Sequence, residues 1–351
     1  MPALSAPDAI SPALRRMRAF LFRPFRMGTF LKLCLVAVVT EGFGSGFNFS
    51  WPGHHRAQHV STVSSISTSP AWMPGSLTPG WFAALVALGV LLLIFVLWLA
   101  YLITRLRFAY FYCLIHNTRE IRPGWRLYRS QATRFFWMNL VVGLCFMAVI
   151  VALGLTFGMG IWGVLHHSGG HPGLGPMIAL ILPAIAALLA IIVVAIGVDV
   201  ILRDFMLPHY ALENATAGQA WAGAWQRFRA EKGGFIAYAL LRIFLPLVAW
   251  LGLGVILILP GIFFALVIVF VEIGIHAAFA HAAGAMPAVG IALEVLVGMF
   301  AAAVAMLVAM GVGGPLSTAV REYALVFYGG RYQPLAEALT PPQDSGLAAP
   351  A

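Results

Sequence analysis

The chain alternates between long apolar runs and short stretches rich in arginine and aromatic residues. Six runs, at about 27–47, 81–104, 136–163, 177–202, 235–259 and 288–313, each reach the ~20 residues that a helix needs to cross a bilayer core. They predict an all-α integral membrane protein with about six transmembrane helices. A seventh apolar stretch, 262–285, follows Pro260-Gly261 and carries Glu272, His276 and His281. A full crossing there would put Arg321 and Arg331 on the opposite side from the other basic segments. It therefore reads as a broken, re-entrant or outer-surface helix, which is tolerated only where protein or water covers the backbone. The spans form one polytopic domain, 27–330, between a basic arm at 1–26 and a disordered tail at 331–351.

Two of the polar segments repeat at an offset of 100 residues. Trp125 matches Trp225, Tyr128 matches Phe228, Arg129 matches Arg229 and Phe135 matches Phe235. In the later copy Ala217, Ala220, Trp221, Ala224, Trp225 and Phe228 recur at helical spacing along one stripe. Arg227 and Arg229 fall on or beside the opposite face, and Thr216 with Gln219 fits a capping box. The earlier copy repeats the stripe through Ile121, Trp125, Tyr128 and Ala132. Both copies, the later one opened by Arg203 and Asp204, read as amphipathic elbow helices at the cytoplasmic lipid interface, aromatic side down and guanidiniums up. Each joins a descending span to an ascending one, as in parallel internal repeats about an axis along the membrane normal.

Charge distribution fixes the orientation. Only 9% of residues are charged, too few to clothe a water-facing surface, yet the net charge is +9. Of the 21 Lys and Arg, all but Arg56 fall in segments placed on one side. This is the positive-inside pattern, with both termini cytoplasmic. It favours anionic lipid headgroups over nucleic acid as the partner. Protein partners and homo-oligomerisation leave no mark in the sequence. The Ala, Gly, Arg and Pro content points to a bacterial inner membrane. The arm, with Arg among Leu, Met and Phe over 15–25, suits either a helix at headgroup level or a partly ordered tail. The first apolar run has no small-x-small cleavage site after it and reads as a retained helix. Cys34, Cys113 and Cys145 have neither paired nor metal-ligand spacing.

Arg107-Phe108, the stretch from Trp125 to Arg129, Asp204 to Pro208, Ala220-Trp221, and Pro315 with Arg321-Glu322-Tyr323 resemble a group of poorly characterised bacterial polytopic membrane proteins. That group is similar to the membrane domain attached to some glycerophosphoryl diester phosphodiesterases. The resemblance implies the membrane architecture and not the activity. Phosphodiesterase chemistry needs a soluble barrel with acidic and His ligands at strand ends, and no stretch here suits one.

Ionisable groups inside apolar runs are costly and mark structural pairs or functional sites. Asp199 and Arg242 should lie at similar depth and form an intramembrane ion pair. Glu41, Glu272, His276 and Glu294 form a candidate polar cluster in the outer half, with Glu272 and His276 one turn apart. Two outer loops share a His-His-x-x-x-His spacing: His54, His55 and His59, then His166, His167 and His171. Imidazole suits Zn, Cu or Ni, but no carboxylate or thiol completes a shell. No catalytic motif and no cofactor motif is present. The sequence is read as a non-enzymatic scaffold or envelope-maintenance protein. The alternatives are a transporter or lipid-handling protein with a polar site in the outer half, and an extracytoplasmic metal binder.

Overall fold

The computed structural model describes residues 2–42, 79–167, 173–279 and 286–340, and all regular structure among them is helical. Helix α1 (Ile10–Phe22) and α2 (Met27–Ala37) open the chain, and α2 continues as a π-helical turn, Val38–Gly42. Then come α3 (Pro79–Ile115), α4 (Ile121–Leu127), α5 (Arg129–His167) and α6 (Leu174–Val200). A second π-helical segment, Ile201–Met206, runs α6 into α7 (Leu207–Leu212). The chain ends with α8 (Ala217–Ala230), α9 (Lys232–Phe279), α10 (Met286–Gly329) and α11 (Gln333–Leu339). Five of these helical stretches are long and apolar enough to cross a membrane, as in a multi-pass membrane protein.

The molecule has two unlike zones. Among the described residues, every buried hydrophobic side chain lies in 6–37, 108–135, 202–238 or 319–339, and these four segments pack together as one base. The most apolar windows of the five long helices contain no buried residue. Leu259 is 78% and Trp162 72% exposed, the reverse of a water-soluble fold. The base is cemented by rings. Tyr238 stacks on Phe327 and Tyr323 at centroid distances of 4.5 and 5.1 Å. Phe135 meets Phe108 edge-on at 5.5 Å, and Phe235 meets Phe205 edge-on at 5.0 Å. These offset and edge geometries suit the ring quadrupole.

The elbow helices divide their apolar stripe. In α8 the capping box forms: Gln219 N–H donates to the Thr216 hydroxyl and Thr216 N–H to the Gln219 side-chain oxygen. Ala220 and Ala224 are buried against the base, whereas Trp221 and Trp225 stack on each other and face outward, 44% and 41% exposed. The small residues permit close approach and the large ones are left for another phase. In α4, Gly124 lies against α3, where a Cβ would come within 2.6 Å of the Tyr112 Cβ.

Three expectations change. The arm does not lie apart on a surface: α1 packs on α10, and Arg16 Nε donates to Glu322 Oε2 at 2.9 Å. Arg119 from the α3–α4 turn donates to the Phe20 and Pro24 carbonyls at the end of α1. The tail does not begin at 331: α11 buries Leu335 and Leu339, and the Leu339 carbonyl accepts from Arg16. Nor does the chain break at Pro260. Helix α9 runs through Pro246 and Pro260, so 262–279 is its continuation, while 280–285 lies outside the described residues. Proline removes one N–H, but unwinding a turn in apolar surroundings would strand several backbone groups. Antiparallel packing of α9 and α10 brings Arg321 back beside Arg242, at the end that also holds Arg203.

Helix α10 crosses α2 where Gly314 meets Cys34, and an added Cβ would collide with the Cys34 side chain. Gly314→Leu should therefore destabilise by about 1–3 kcal/mol through overpacking. Gly311→Ala, with open space around its Cα, should not. Unfolding midpoints of the detergent-purified full chain compare the two.

Candidate functional site

The base encloses a buried ionic cluster assembled from five elements. The π-helical turn after α2 supplies Glu41, α3 supplies Arg107, and the end of α6 with its π-helical extension supplies Asp199, Arg203 and Asp204. Helix α9 contributes Tyr238 and Arg242, and α10 contributes Arg321. Both π-helical segments carry acids of the cluster. Such turns are rare and shift side-chain register, and here they bring Glu41 and consecutive Arg203 and Asp204 into the interior.

Asp204 is the centre. Its Oδ1 accepts from Arg321 Nη1 at 3.0 Å, and its Oδ2 accepts from Arg242 Nε at 3.0 Å and from the Tyr238 hydroxyl at 2.7 Å. Arg321 Nη1 also donates to the Arg203 carbonyl at 2.9 Å. Arg203 Nε lies 2.8 Å from Asp199 Oδ1, out of hydrogen-bond alignment. Glu41 takes a looser place. Its carboxylate oxygens stand 3.6 Å from Arg242 Nη2, 3.9 Å from Arg321 Nε and 4.0 Å from Arg203 Nη1, and Oε2 accepts no hydrogen bond among the described residues. Arg107 Nε donates to the Thr40 carbonyl at 2.9 Å. Four guanidiniums (Arg107, Arg203, Arg242, Arg321) thus face three carboxylates (Glu41, Asp199, Asp204). Beside them the Thr318 hydroxyl donates to the Gly314 carbonyl at 2.8 Å and so accepts from the Tyr110 hydroxyl at 2.7 Å.

A carboxylate holding three donors, two of them charged, is a fixed anion rather than a proton carrier or nucleophile. The ion pairs join four distant parts of the chain, around Glu41, Asp204, Arg242 and Arg321, and Arg107 ties in a fifth through the Thr40 carbonyl. Breaking one such pair strands its partner's charge, which typically costs 3–5 kcal/mol.

A second network lies nearby. His209 Nδ1 is 2.9 Å from Glu213 Oε2, and Nε2 is 2.8 Å from the Tyr328 hydroxyl. The carboxylate only accepts, which puts the proton on Nδ1 and makes Nε2 the acceptor from Tyr328. Carboxylate, imidazole and hydroxyl stand in the order of a hydrolase triad. Tyr328 has no exposed surface, however, and Tyr332 covers the imidazole at 4.2 Å. The network is a brace for the α7–α10 contact.

The other sequence candidates separate. The Asp199–Arg242 pair is not among the ion pairs of the described residues: Asp199 finds Arg203 one turn away, and Arg242 finds Asp204 and Glu41. The four-membered polar cluster is divided. Glu41 lies in the base, whereas His276 Nδ1 and Glu294 Oε1 meet at 3.2 Å between α9 and α10. From Arg242 to His276 the helix rises about 50 Å. Glu272 is half-buried on α9. Trp125 sits under the Arg105 guanidinium at 4.4 Å, Tyr128 is buried, and Arg129 is exposed. Phe228 is half-buried, and Arg229 lies over Trp225 at 5.2 Å. His166 stacks on Trp162, and His167 Nδ1 is 2.8 Å from the Gly163 carbonyl. His54, His55, His59 and His171 lie outside the described residues. Among the described residues no group of three or more His, Cys, Asp or Glu is placed to hold a metal.

Sequence reasoning placed Asp204 at the interface and passed over Arg107, Tyr238 and Arg321. One signal was available: Arg203-Asp204-Phe205 and Arg321-Glu322-Tyr323 share the order arginine, acid, aromatic, and both follow a long apolar run.

A model described as a family of unknown function (DUF7544) matches residues 4–337, and the chain belongs to that family. The match takes in α1 and nearly all of α11, so it covers the whole base as well as the long helices. No curated protein and no solved structure matches.

At the rim, Arg331 donates from Nε and Nη2 to both Glu231 oxygens at 2.6 Å, tying the α8–α9 turn to the end of α10. These bonds hold the Glu231 carboxyl below its ordinary range. The unfolded carboxyl titrates higher, so this stabilisation is complete above the ordinary range and lost as pH falls through the folded value. Wild type should therefore unfold at a higher temperature than Glu231→Gln at about pH 7, with the gap closing near pH 3. Paired melting curves across that range check the sign.

Proposed function

We propose that this protein is a non-enzymatic scaffold of a bacterial inner membrane, with an envelope-maintenance role. Its apolar helices anchor an ionically locked base that presents the two elbows at the cytoplasmic lipid surface. In this reading the chain crosses six times, the first crossing starting in α2, and both termini are cytoplasmic. The elbows are parallel repeats, supported by Phe135 and Phe235 packing edge-on to Phe108 and Phe205 of the preceding descending helices.

The observation that carries the reading is the segregation of the molecule. The described polar groups of the base are largely engaged with one another, and the long helices expose apolar side chains along their length. Twenty of the 21 Lys and Arg lie in the base segments or their flanking turns, Arg56 alone falling elsewhere. Such one-sided charge orients a membrane protein with that face inward. The transport alternative needs a cavity between helices that exposes Glu272, Glu294 or Asp199, and of these Asp199 is engaged by Arg203 in the base.

Cysteine accessibility tests the placement. Cys145 is the exposed native cysteine among the three and is first replaced by Ala. Arg229→Cys and Glu337→Cys should then label only from the cytoplasmic side, and His167→Cys only from the opposite side. Labelling of Arg229→Cys or Glu337→Cys from outside sinks the reading. A solute flux in proteoliposomes that depends on Glu272 or Glu294 would replace it with the transport alternative.

A further inference from the structure

Most arginines inside the base are consumed by internal acceptors, but a group at the α4–α5 junction is not. An open cleft of about 480 Å³ is lined by Arg126, Leu127, Arg129, Ser130, Thr133 and Arg134. Among the described residues no carboxylate lines it. Arg126 and Arg129 are exposed, and their guanidiniums have no hydrogen-bond or ion-pair partner among the described residues. Arg134 is steadied by the Asn214 side-chain oxygen, which adds no charge. Thr133 spends its hydroxyl proton on the Arg129 carbonyl, leaving the Ser130 hydroxyl as the neutral donor. Three cations line one cleft with no carboxylate paired to them among the described residues, an arrangement that an anion relieves. Guanidinium forks and a hydroxyl match phosphate oxygens.

The depth of the cleft selects the source of the phosphate. Leu127 on its rim is 61% exposed, and Trp137, one turn beyond Thr133 on α5, is 59% exposed. From there α5 runs into an apolar stretch beginning at Leu140. The cleft thus stands where charged surface gives way to lipid-facing helix, at the level where tryptophan belts and headgroups meet. A soluble phosphate would need the three cations but not the flanking apolar pair.

We propose that this cleft is a binding site for the phosphate of an anionic phospholipid. Arg126 and Arg129 hold the phosphate oxygens, Ser130 donates to one of them, and the glycerol and acyl chains descend past Leu127 and Trp137. The inference rests on the membrane placement proposed above and gives one elbow a specific ligand.

The test uses the full chain in detergent micelles, with phosphatidylglycerol and phosphatidylcholine titrated and bound lipid read by native mass spectrometry. Wild type should prefer phosphatidylglycerol by about tenfold, and Arg126→Gln/Arg129→Gln should lose that preference. Arg126→Lys/Arg129→Lys should recover part of it. Arg15→Gln/Arg18→Gln removes the same charge from exposed positions on α1 and should shift the preference less than about twofold. Melting curves confirm that each variant is folded, and the Lys pair keeps the comparison intact if the Gln pair is not. Equal loss in the two Gln pairs overturns the site in favour of diffuse attraction, and no preference in wild type overturns it outright. Displacement of the lipid by millimolar inorganic phosphate identifies a soluble phosphate as the ligand and also overturns it. Cysteines of the base labelled from outside would sink the membrane placement itself. A base labelled from inside without lipid preference sinks this site alone.

Discussion

Asp204 governs the architecture because it is a buried charge that can be held only by charges from elsewhere in the chain. Its three donors come from α9 and α10, and the guanidinium of Arg321 is shared with the backbone at Arg203. In a low-dielectric interior an unpaired carboxylate would cost several kcal/mol, so the helices must return to one point to satisfy it. Glu41 extends the requirement to the segment after α2, standing within 4.0 Å of three arginines. The base closes as a unit or leaves charges stranded.

This constraint explains why the protein divides so sharply. Lipid tails are as apolar as leucine, so the long helices gain little by burying side chains against one another. They touch where small residues allow it, as at Gly314 against Cys34 and Gly290 against Phe279, and otherwise stay exposed. Specific packing is concentrated at the end where aqueous and apolar phases meet. There rings, guanidiniums and carbonyls interlock, and α1 and α11 complete the packing from opposite ends of the chain.

The sequence made some of this legible. Apolar runs of more than 20 residues located the long helices, since the bilayer leaves few other solutions. The cap at Thr216 and Gln219 was readable because its reach is local, three residues apart. Partner choice was not. Asp199 and Arg242 were matched by depth along two helices, but pairing depends on rotation about each axis, and the π-helical segment at 201–206 reset that rotation. The packing of α1 was hidden for a related reason. Arg16 and Glu322 are 306 residues apart and neither has a local motif. Pro260 misled because proline is a strong breaker in water, where a broken turn is solvated, and a weak one among apolar side chains.

In the proposed reading the base serves as a rigid platform, and the cleft at α4–α5 would be its point of contact with lipid. Everything in that account depends on Asp204 and its arginines acting as one coupled lock. A double-mutant cycle measures the coupling directly, using Asp204→Asn, Arg242→Gln and the pair, with unfolding of the full chain in micelles as the readout. If the lock is coupled, the double variant is hardly less stable than the worse single one, with a coupling energy of about 1–3 kcal/mol. Losses that add to within about 0.5 kcal/mol would contradict it.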